Sequence, residues 1–443
     1  MNGHVKQAVL GVDLGTSGVK ALLTGVDGAV LGQGTAGYRI RVPATGRAES
    51  VPEDWWLATR AAVREALAEA DRADVTALAV AGQMHGVVLV DECGAALRPA
   101  ILWLDQRAAA EAATYAELPG EYTAVLGNRP SPGMAGPLLS WLTTYEPYTV
   151  RAAWWALQPK DWLRLRLTGQ AATDPTDASG TLLFDLARDA WAGPLIDKLG
   201  VPREKLPPVR DSAALAGPLL PGAAADLGLP PGIPVAVGAA DTAAALYAAG
   251  LRADEAMLNL GSGGQWVVRE DAFRPVDATN LYRAVGGGYY RLAPVQNVGV
   301  TLDWVRNLLG ATWEELYDTA YRPRRPDAPR FDPYLSSERW NPAATGAWTG
   351  LTLGHEREDL MRSALDGVAG LLRQRLDDLR AAGHAPRRVS LGGDGTTHPG
   401  WRALLAQTLD LPLCGAPTAW LTPTGAARLA AEVYSSSSSS ESR

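Results

Sequence analysis

The chain has 443 residues, 47% hydrophobic and 20% charged, which is enough for more than one core and ordinary for a globular protein. Its formal net charge of -7 includes no basic stripe, which argues against a nucleic-acid partner, and its alanine-rich stretches, such as Ala236 to Leu251, are broken by Asp241 or glycine before they reach membrane-spanning length. Two cysteines, Cys93 and Cys414, are too far apart for a metal-ligand pattern and are read as buried or incidental; with no signal-peptide pattern in Met1 to Val12, the expected location is cytoplasmic.

The apolar run Ala8 to Val12 leads into Asp13-Leu14-Gly15-Thr16-Ser17-Gly18-Val19-Lys20, which reads as a strand, a tight turn and a returning strand. Val19–Leu23 and Ala29–Gly34 flank Asp27-Gly28, a hairpin signal, so the chain begins as an antiparallel meander. Pro52 and the apolar positions Trp56, Ala61, Val63, Ala66 and Leu67 predict a helix from Glu53 to Ala70. A buried strand, Val75–Ala81, ends in Gly82-Gln83-Met84-His85-Gly86, and Val87–Asp91 follows as another. Helices are expected over Gln106–Leu118, Gly136–Thr144 and Pro159–Leu167. The Pro-, Gly- and Ala-rich stretch Pro207–Pro234 reads as a connector into a strand, Val235–Gly238, which delivers Asp241 ahead of a helix-prone run, Thr242–Ala249.

A boundary near Leu251 gives an N-terminal half of residues 1–250 and a C-terminal half of residues 251–434. Residues 435–443 form a Ser-rich tail expected to be disordered. The second half opens as the first does: Ala256–Leu260, then Gly261-Ser262-Gly263-Gly264, then Gln265-Trp266. Leu360, Ala364, Leu365, Val368, Leu371, Leu372, Leu376 and Leu379 predict a helix over Arg357–Ala382, stopped by Gly383. A short strand, Val389–Gly392, opens into Gly392-Gly393-Asp394-Gly395, and a helix follows over Pro399–Leu409.

The repeated turn is the most informative signal. Its exposed backbone N–H groups form an anion-binding concavity, and two such turns, each opening half of the chain, would grip the phosphates of one nucleotide from opposite sides. Asp13 in the first copy is Asn259 in the second, so one side alone offers a carboxylate to a divalent metal. Asp241, among small residues at a strand-to-helix junction, reads either as a helix N-cap or as a catalytic base. His85 reads as a core histidine or a ligand, and Asp105 with Arg107 as a local salt bridge around a bend. Trp55 and Trp56 read as core, or one of them as an apolar wall for a sugar ring.

Together Asp13 to Lys20, Gly82 to Gly86, Ile101 to Arg107, Pro159 to Gly169, Thr173 to Thr181, Asp241, the turn at Gly261, Pro333 to Arg339, Gly392 to Gly395 and Gly425 to Ala430 resemble, in collinear order, the FGGY carbohydrate kinases. The resemblance implies an α/β fold of two actin-like (ribonuclease-H-like) ATPase domains with a cleft between them. It implies transfer of the γ-phosphate of ATP to a hydroxyl of a ketopentose, D-xylulose first, with ribulose, glycerol or a non-catalytic binding role as alternatives. Asp13 would help hold Mg2+, and Thr16, Ser17, Lys20, Gly261, Ser262 and Gly263 would meet phosphates. Gly299, Gly392 and Gly393 would lie along the nucleoside. Met84, His85, Asp241 and Thr242 would line the sugar, with Asp241 as general base, and Trp56 and Asp105 are counted on the sugar side. The resemblance leaves room for a homodimer. The chain departs from the pattern of the family's ketopentose kinases at Thr242 (Asn in the pattern), in the second turn, at Asp394-Gly395, and at Ser337 and Trp340-Asn341.

Overall fold

Two mixed sheets that share a central plan frame the molecule. The computed structural model describes residues 6–70, 73–276, 279–336, 344–414 and 420–441. The first sheet begins with the expected meander of β1 (Lys6–Leu14), β2 (Gly18–Gly25) and β3 (Val30–Gly37), in whose register Asp13 faces Lys20. Helix α1 (Pro52–Glu69) has Pro at its first turn and Glu53 and Asp54 against its positive end, and it buries Trp55, Trp56, Ala62, Val63 and Ala66 over β2 and β3. It crosses to β4 (Ala73–Gly82), which lies parallel to β1.

A long excursion then carries α2 (Ala135–Tyr145), α3 (Pro159–Thr168) and the short α4 (Pro175–Ala178). The proline-rich stretch expected to be a connector is structured instead. It contains β5 (Leu215–Pro218) and α5 (Pro221–Leu227), because its prolines fall at helix starts and at a sheet edge, where no ladder hydrogen bond is lost. The strand expected over Val235–Gly238 is broken at Gly238 into β6 (Pro234–Ala236) and β7 (Ala239–Ala240). Both pair with β4, giving the order β5-β6-β4-β1-β2-β3, and α6 (Asp241–Ala249) follows directly.

The second sheet repeats the centre of this plan, an antiparallel pair followed by a crossover to a parallel strand. β8 (Glu255–Leu260), β9 (Gly264–Glu270), β10 (Asn280–Arg283) and β11 (Tyr289–Val295) form the antiparallel part. After α7 (Gly299–Leu308), α8 (Arg357–Ala381) crosses to β12 (Arg388–Gly392), parallel to β8, and α9 (Pro399–Leu409) leads to β13 (Leu413–Cys414). The order is β10-β11-β9-β8-β12-β13. The buried face of α8, with Leu365, Val368, Leu372, Leu376 and Leu379, fills the core of this half, each such side chain contributing about 1.5–3 kcal/mol relative to exposure.

The last helix, α10 (Leu421–Glu441), follows the second half in sequence but packs on the first sheet. Its Ala426, Ala427, Leu429, Ala430 and Val433 meet Val9, Ala77, Ala79, Ala81 and Ala236, so small side chains on both sides bring helix and sheet close. The serine run expected to be disordered continues this helix as far as Glu441. The hydroxyls of Ser435, Ser436 and Ser437 donate to carbonyls four residues back, which gives each polar side chain a partner without leaving the helix. Cys93 is exposed and Cys414 half-buried, so neither is a core residue. No helix among the described residues is long and apolar enough to cross a membrane.

Candidate active site

The carboxyl ends of parallel strands assemble one side of the site. Leu14 of β1 is in register with Gly82 of β4, and Gly82 in turn with Ala240 of β7. Asp13, the segment Gln83-Met84-His85 and Asp241 therefore lie side by side on three adjacent strand ends, where an open α/β sheet presents its ligand groups.

Above Asp13 the turn is closed by Gly15 N–H donating to Gly18 O at 2.9 Å. Three side chains brace it from outside: the Tyr38 hydroxyl and Gln83 Nε2 both donate to the Gly15 carbonyl, and Trp103 Nε1 donates to Thr16 Oγ1 at 3.1 Å. Ser17 stays exposed at the tip. Oδ1 of Asp13 is buried with no hydrogen-bond partner. Burial and the charge of Asp241 push this carboxyl up to about 7, against the opposing pull of Lys20 across the strand pair. Lys20 also lies 6.0 Å from the centre of the Trp420 ring.

Asp241 is the first residue of α6, after the extended Ala240, so the helix is capped at Ala240 and no side chain caps it. Its Oδ1 accepts from the adjacent Thr242 N–H and from Thr242 Oγ1 at 3.1 Å, instead of from the next turn as an N-cap would. Burial raises the Asp241 pKa, and these two hydrogen bonds draw it partly back. The Thr242 hydroxyl is thus committed to the neighbouring carboxylate.

His85 holds a left-handed backbone, φ 75°, rare for a residue with a Cβ and characteristic of functional sites. Its N–H donates to Gln158 Oε1 at 3.1 Å, and its Nδ1 lies 2.7 Å from Gly180 O, an acceptor, which places the proton on Nδ1. The C-terminal half reaches across here. Tyr290 of β11 donates its hydroxyl to Met84 Sδ at 3.8 Å, and Tyr282 of β10 packs on Tyr290 and on the His85 ring. Burial, Tyr282 and the charge of Asp241 all raise the Tyr290 pKa. Gln158, Trp103, Tyr282 and Tyr290 were not singled out from the sequence as site residues. Only the two tyrosines' position in paired strands, opposite each other in register, offers a signal in retrospect.

The second turn sits in the other half. Gly261 N–H donates to Gly263 O at 2.8 Å, Gly261 and Ser262 are exposed, and Val300 N–H at the start of α7 donates to Ser262 O at 2.9 Å. Backbone approaches backbone at two of the expected nucleoside positions. A Cβ on Gly299 would lie 2.1 Å from Gly261 O, and one on Gly393 2.2 Å from Leu260 O, so any side chain there would displace the turn. Gly392 lies in register with Asn259. Asp394-Gly395 falls in the short turn Asp394–Thr396, while Ser337, Trp340 and Asn341 lie outside the described residues.

Two expected sugar-side residues sit elsewhere. Trp56 is fully buried under α1, its Nε1 donating to Asp226 at 3.2 Å and its ring covered by Arg166, so it is core because its face of α1 points into the sheet. Asp105 is fully buried, accepting from Ala48 N–H at 2.7 Å and from Arg107, which also pairs with Glu49. Burial alone would raise its pKa, but these hydrogen bonds hold it below the usual carboxylate value. All its acceptor directions are spent on anchoring the loop that carries Trp103.

Comparison with known proteins agrees with the two-domain architecture. The profile of the FGGY family of carbohydrate kinases, N-terminal domain, matches residues 8–248, and that of the C-terminal domain matches residues 260–433. The chain is 35% identical over 434 residues to a xylulose kinase of Escherichia coli (strain K12), covering 95% of this chain and 89% of that one. Among solved structures it resembles a xyloylose kinase from Brucella ovis, with TM-score 0.89 and 30% identity over 97% of this chain and 91% of that one. A xylulose kinase from Rhodospirillum rubrum gives TM-score 0.86 and 30% identity over 96% and 90%.

Proposed function

The chain belongs to the FGGY family of carbohydrate kinases, with two domains of the actin-like ATPase fold, and we propose that it transfers the γ-phosphate of ATP to a hydroxyl of D-xylulose. The observation that carries the reading is the pairing of Asp241 with Asp13. They lie on the ends of the strands that flank β4, close enough for one charge to raise the other's pKa, with Gln83-Met84-His85 leaving the β4 end between them and Asp13 underlying a phosphate-type turn. Phosphoryl transfer to an alcohol needs a base at the acceptor, a cation at the phosphates and backbone donors around them.

Asp241 takes the proton of the attacking hydroxyl as its oxygen bonds to the γ-phosphorus and the bond to the β-phosphate oxygen breaks. Met84, His85 and Tyr290 bound the acceptor side, with the His85 ring fixed by Gly180 O. The two turns hold the phosphates, and Gly299 and Gly393 keep side chains out of the nucleotide's path. Asp13 fits a divalent cation, since its buried Oδ1 has no partner and lies within the field of a second carboxylate. A single carboxylate suits Mg2+, which keeps waters and phosphate oxygens as its other ligands; bound there, it would spread the phosphate charge. Cytoplasmic location belongs to the same proposal and rests on free cysteines in a long chain.

The test is sugar-dependent ADP release with D-xylulose, D-ribulose and glycerol. The expected result is the highest kcat/KM with D-xylulose. Retained ATP binding with no acceptor-dependent release would replace the proposal with a non-catalytic binding role.

A further inference from the structure

Behind the site lies a block of charge that the reaction does not touch. Lys160 and Arg164 of α3 and Asp161, Asp174 and Asp177 are all fully buried. Lys160 Nζ lies 2.6 Å from Asp161 Oδ1, 2.9 Å from Asp174 Oδ1 and 3.1 Å from Asp177 Oδ2. Arg164 Nη1 donates to Asp161 Oδ1 at 2.9 Å. Sequestering five charged side chains is costly, and a well-packed apolar block is often at least as stable, so such a cluster calls for a role beyond stability.

Its outward bonds converge on one place. Arg164 Nη1 donates to Val237 O at 3.0 Å, and Gly238 N–H donates to Ser212 O at 2.9 Å. Asp174 Oδ2 accepts from Ser212 Oγ at 2.7 Å and from Thr176 Oγ1 at 2.6 Å, and Thr176 Oγ1 accepts from Ala240 N–H at 2.9 Å. Ala240 is the residue before Asp241. A carboxylate accepts only, so the Thr176 O–H donates to Asp174 and the hydroxyl's lone pair is turned toward Ala240 N–H. From the same block, Gln158 Nε2 donates to Asp177 O at 2.9 Å while its Oε1 holds His85 N–H.

We propose that Thr176, oriented by Asp174 and the buried charges behind it, is a positioning residue that fixes the Ala239–Ala240 peptide, immediately before Asp241, and thereby aims the catalytic base. This rests on the reading of Asp241 as the base. The β7 strand has only two residues and follows a break at Gly238, so its own ladder holds the junction weakly, and the hydroxyl supplies the missing constraint. The cluster also ties the base to His85 through Gln158, so both walls of the acceptor site share one anchor.

Thr176→Val keeps the volume and removes the hydroxyl, and Thr176→Ser restores it. In the full-length protein with ATP and D-xylulose, Thr176→Val should lower kcat by about 10- to 100-fold, the scale of a slightly misplaced catalytic group, with both KM values within about twofold. Thr176→Ser should recover most of the loss. Hydrogen–deuterium exchange should quicken at residues 237–242 in Thr176→Val and not in Thr176→Ser. An unchanged kcat in folded Thr176→Val, or an equal loss in Thr176→Ser, overturns the proposal. Should Thr176→Val not fold, the wild-type chain still decides: the Ala240 amide must be slow to exchange, and rapid exchange there overturns the assignment. Asp241→Ala measured alongside separates the two claims. Its inactivity with an unaffected Thr176→Val refutes the positioning alone, whereas its near-normal turnover refutes the base and the positioning together.

Discussion

The β1–β2 turn and the β8–β9 turn occupy the same place in two sheets that share a central plan, yet they are built for different work. In the first, Asp13 faces Lys20 across the strand pair; in the second, Asn259 faces Gln265. Each charged residue of one copy is thus an uncharged residue in the other. Four residues, Gly15 to Gly18, separate the paired Leu14 and Val19, while three, Gly261 to Gly263, separate Leu260 and Gly264. The first turn is braced by Tyr38, Gln83 and Trp103, and the second leans on the close backbone of Gly299 and Gly393. On the proposed function, doubling the turn would supply two phosphate grips. The asymmetry of charge would then confine the proposed metal and proton chemistry to one side, where Asp241 stands.

Erasing the asymmetry should cost most. Asp13→Asn turns the first copy toward the second, and sugar-dependent ADP release should fall on the order of 100-fold, with part of the loss recovered at high Mg2+. A Mg2+ titration of turnover checks this, and an unchanged rate at limiting Mg2+ would detach Asp13 from the metal. The reverse change, Asn259→Asp, sets a carboxylate facing phosphates and should raise KM for ATP about tenfold while leaving KM for the sugar alone. Steady-state kinetics with each substrate varied would show whether the second turn tolerates charge after all.

The bracing of the first turn can be probed apart from its chemistry. Asp105→Asn loosens the loop that brings Trp103 to Thr16 and should cost about 2 kcal/mol of stability at neutral pH. Because the folded pKa of Asp105 lies below its unfolded value, its contribution is present above the ordinary carboxylate range and is lost as pH falls through the depressed folded value. Denaturation of both proteins at neutral and acid pH should therefore show a gap that closes in acid. The smallest effect belongs to Thr242, whose hydroxyl is spent on Asp241. Thr242→Asn should sharpen preference for D-xylulose over D-ribulose and glycerol by about 1 kcal/mol, roughly fivefold in relative kcat/KM.

What the sequence disclosed, it disclosed through local chemistry. Both turns, the Asp13–Asn259 contrast and Asp241 at a strand-to-helix junction are legible within a few residues, because a Gly-rich turn and a small-residue junction state their backbone geometry directly. Tyr282 and Tyr290 are not legible in that way. They act on Met84 and His85, about 200 residues upstream, and two tyrosines in an alternating strand look like any half-buried pair. Trp56 misled because an aromatic on an amphipathic helix fits a core as well as a sugar wall, and burial alone tells them apart. Asp105 misled for the converse reason: its salt bridge to Arg107 is legible as a local pair, but the Ala48 N–H that it accepts from, and the Glu49 that shares Arg107, come from a segment that only folding brings near. The path of α10 back onto the first sheet was likewise hidden, since its alanines match the first sheet's small residues and carry no sign of which half they cover.

The central claim is that Asp241 is the base that the rest of this architecture serves. Asp241→Ala, assayed for D-xylulose-dependent ADP release at saturating ATP and Mg2+ with sugar binding measured in parallel, tests it most directly. The account predicts that turnover falls at least ~100-fold while D-xylulose still binds and the protein still folds, the usual consequence of removing a general base. Turnover close to that of the unaltered chain would contradict it, and would leave Asp241 as no more than the first residue of a helix.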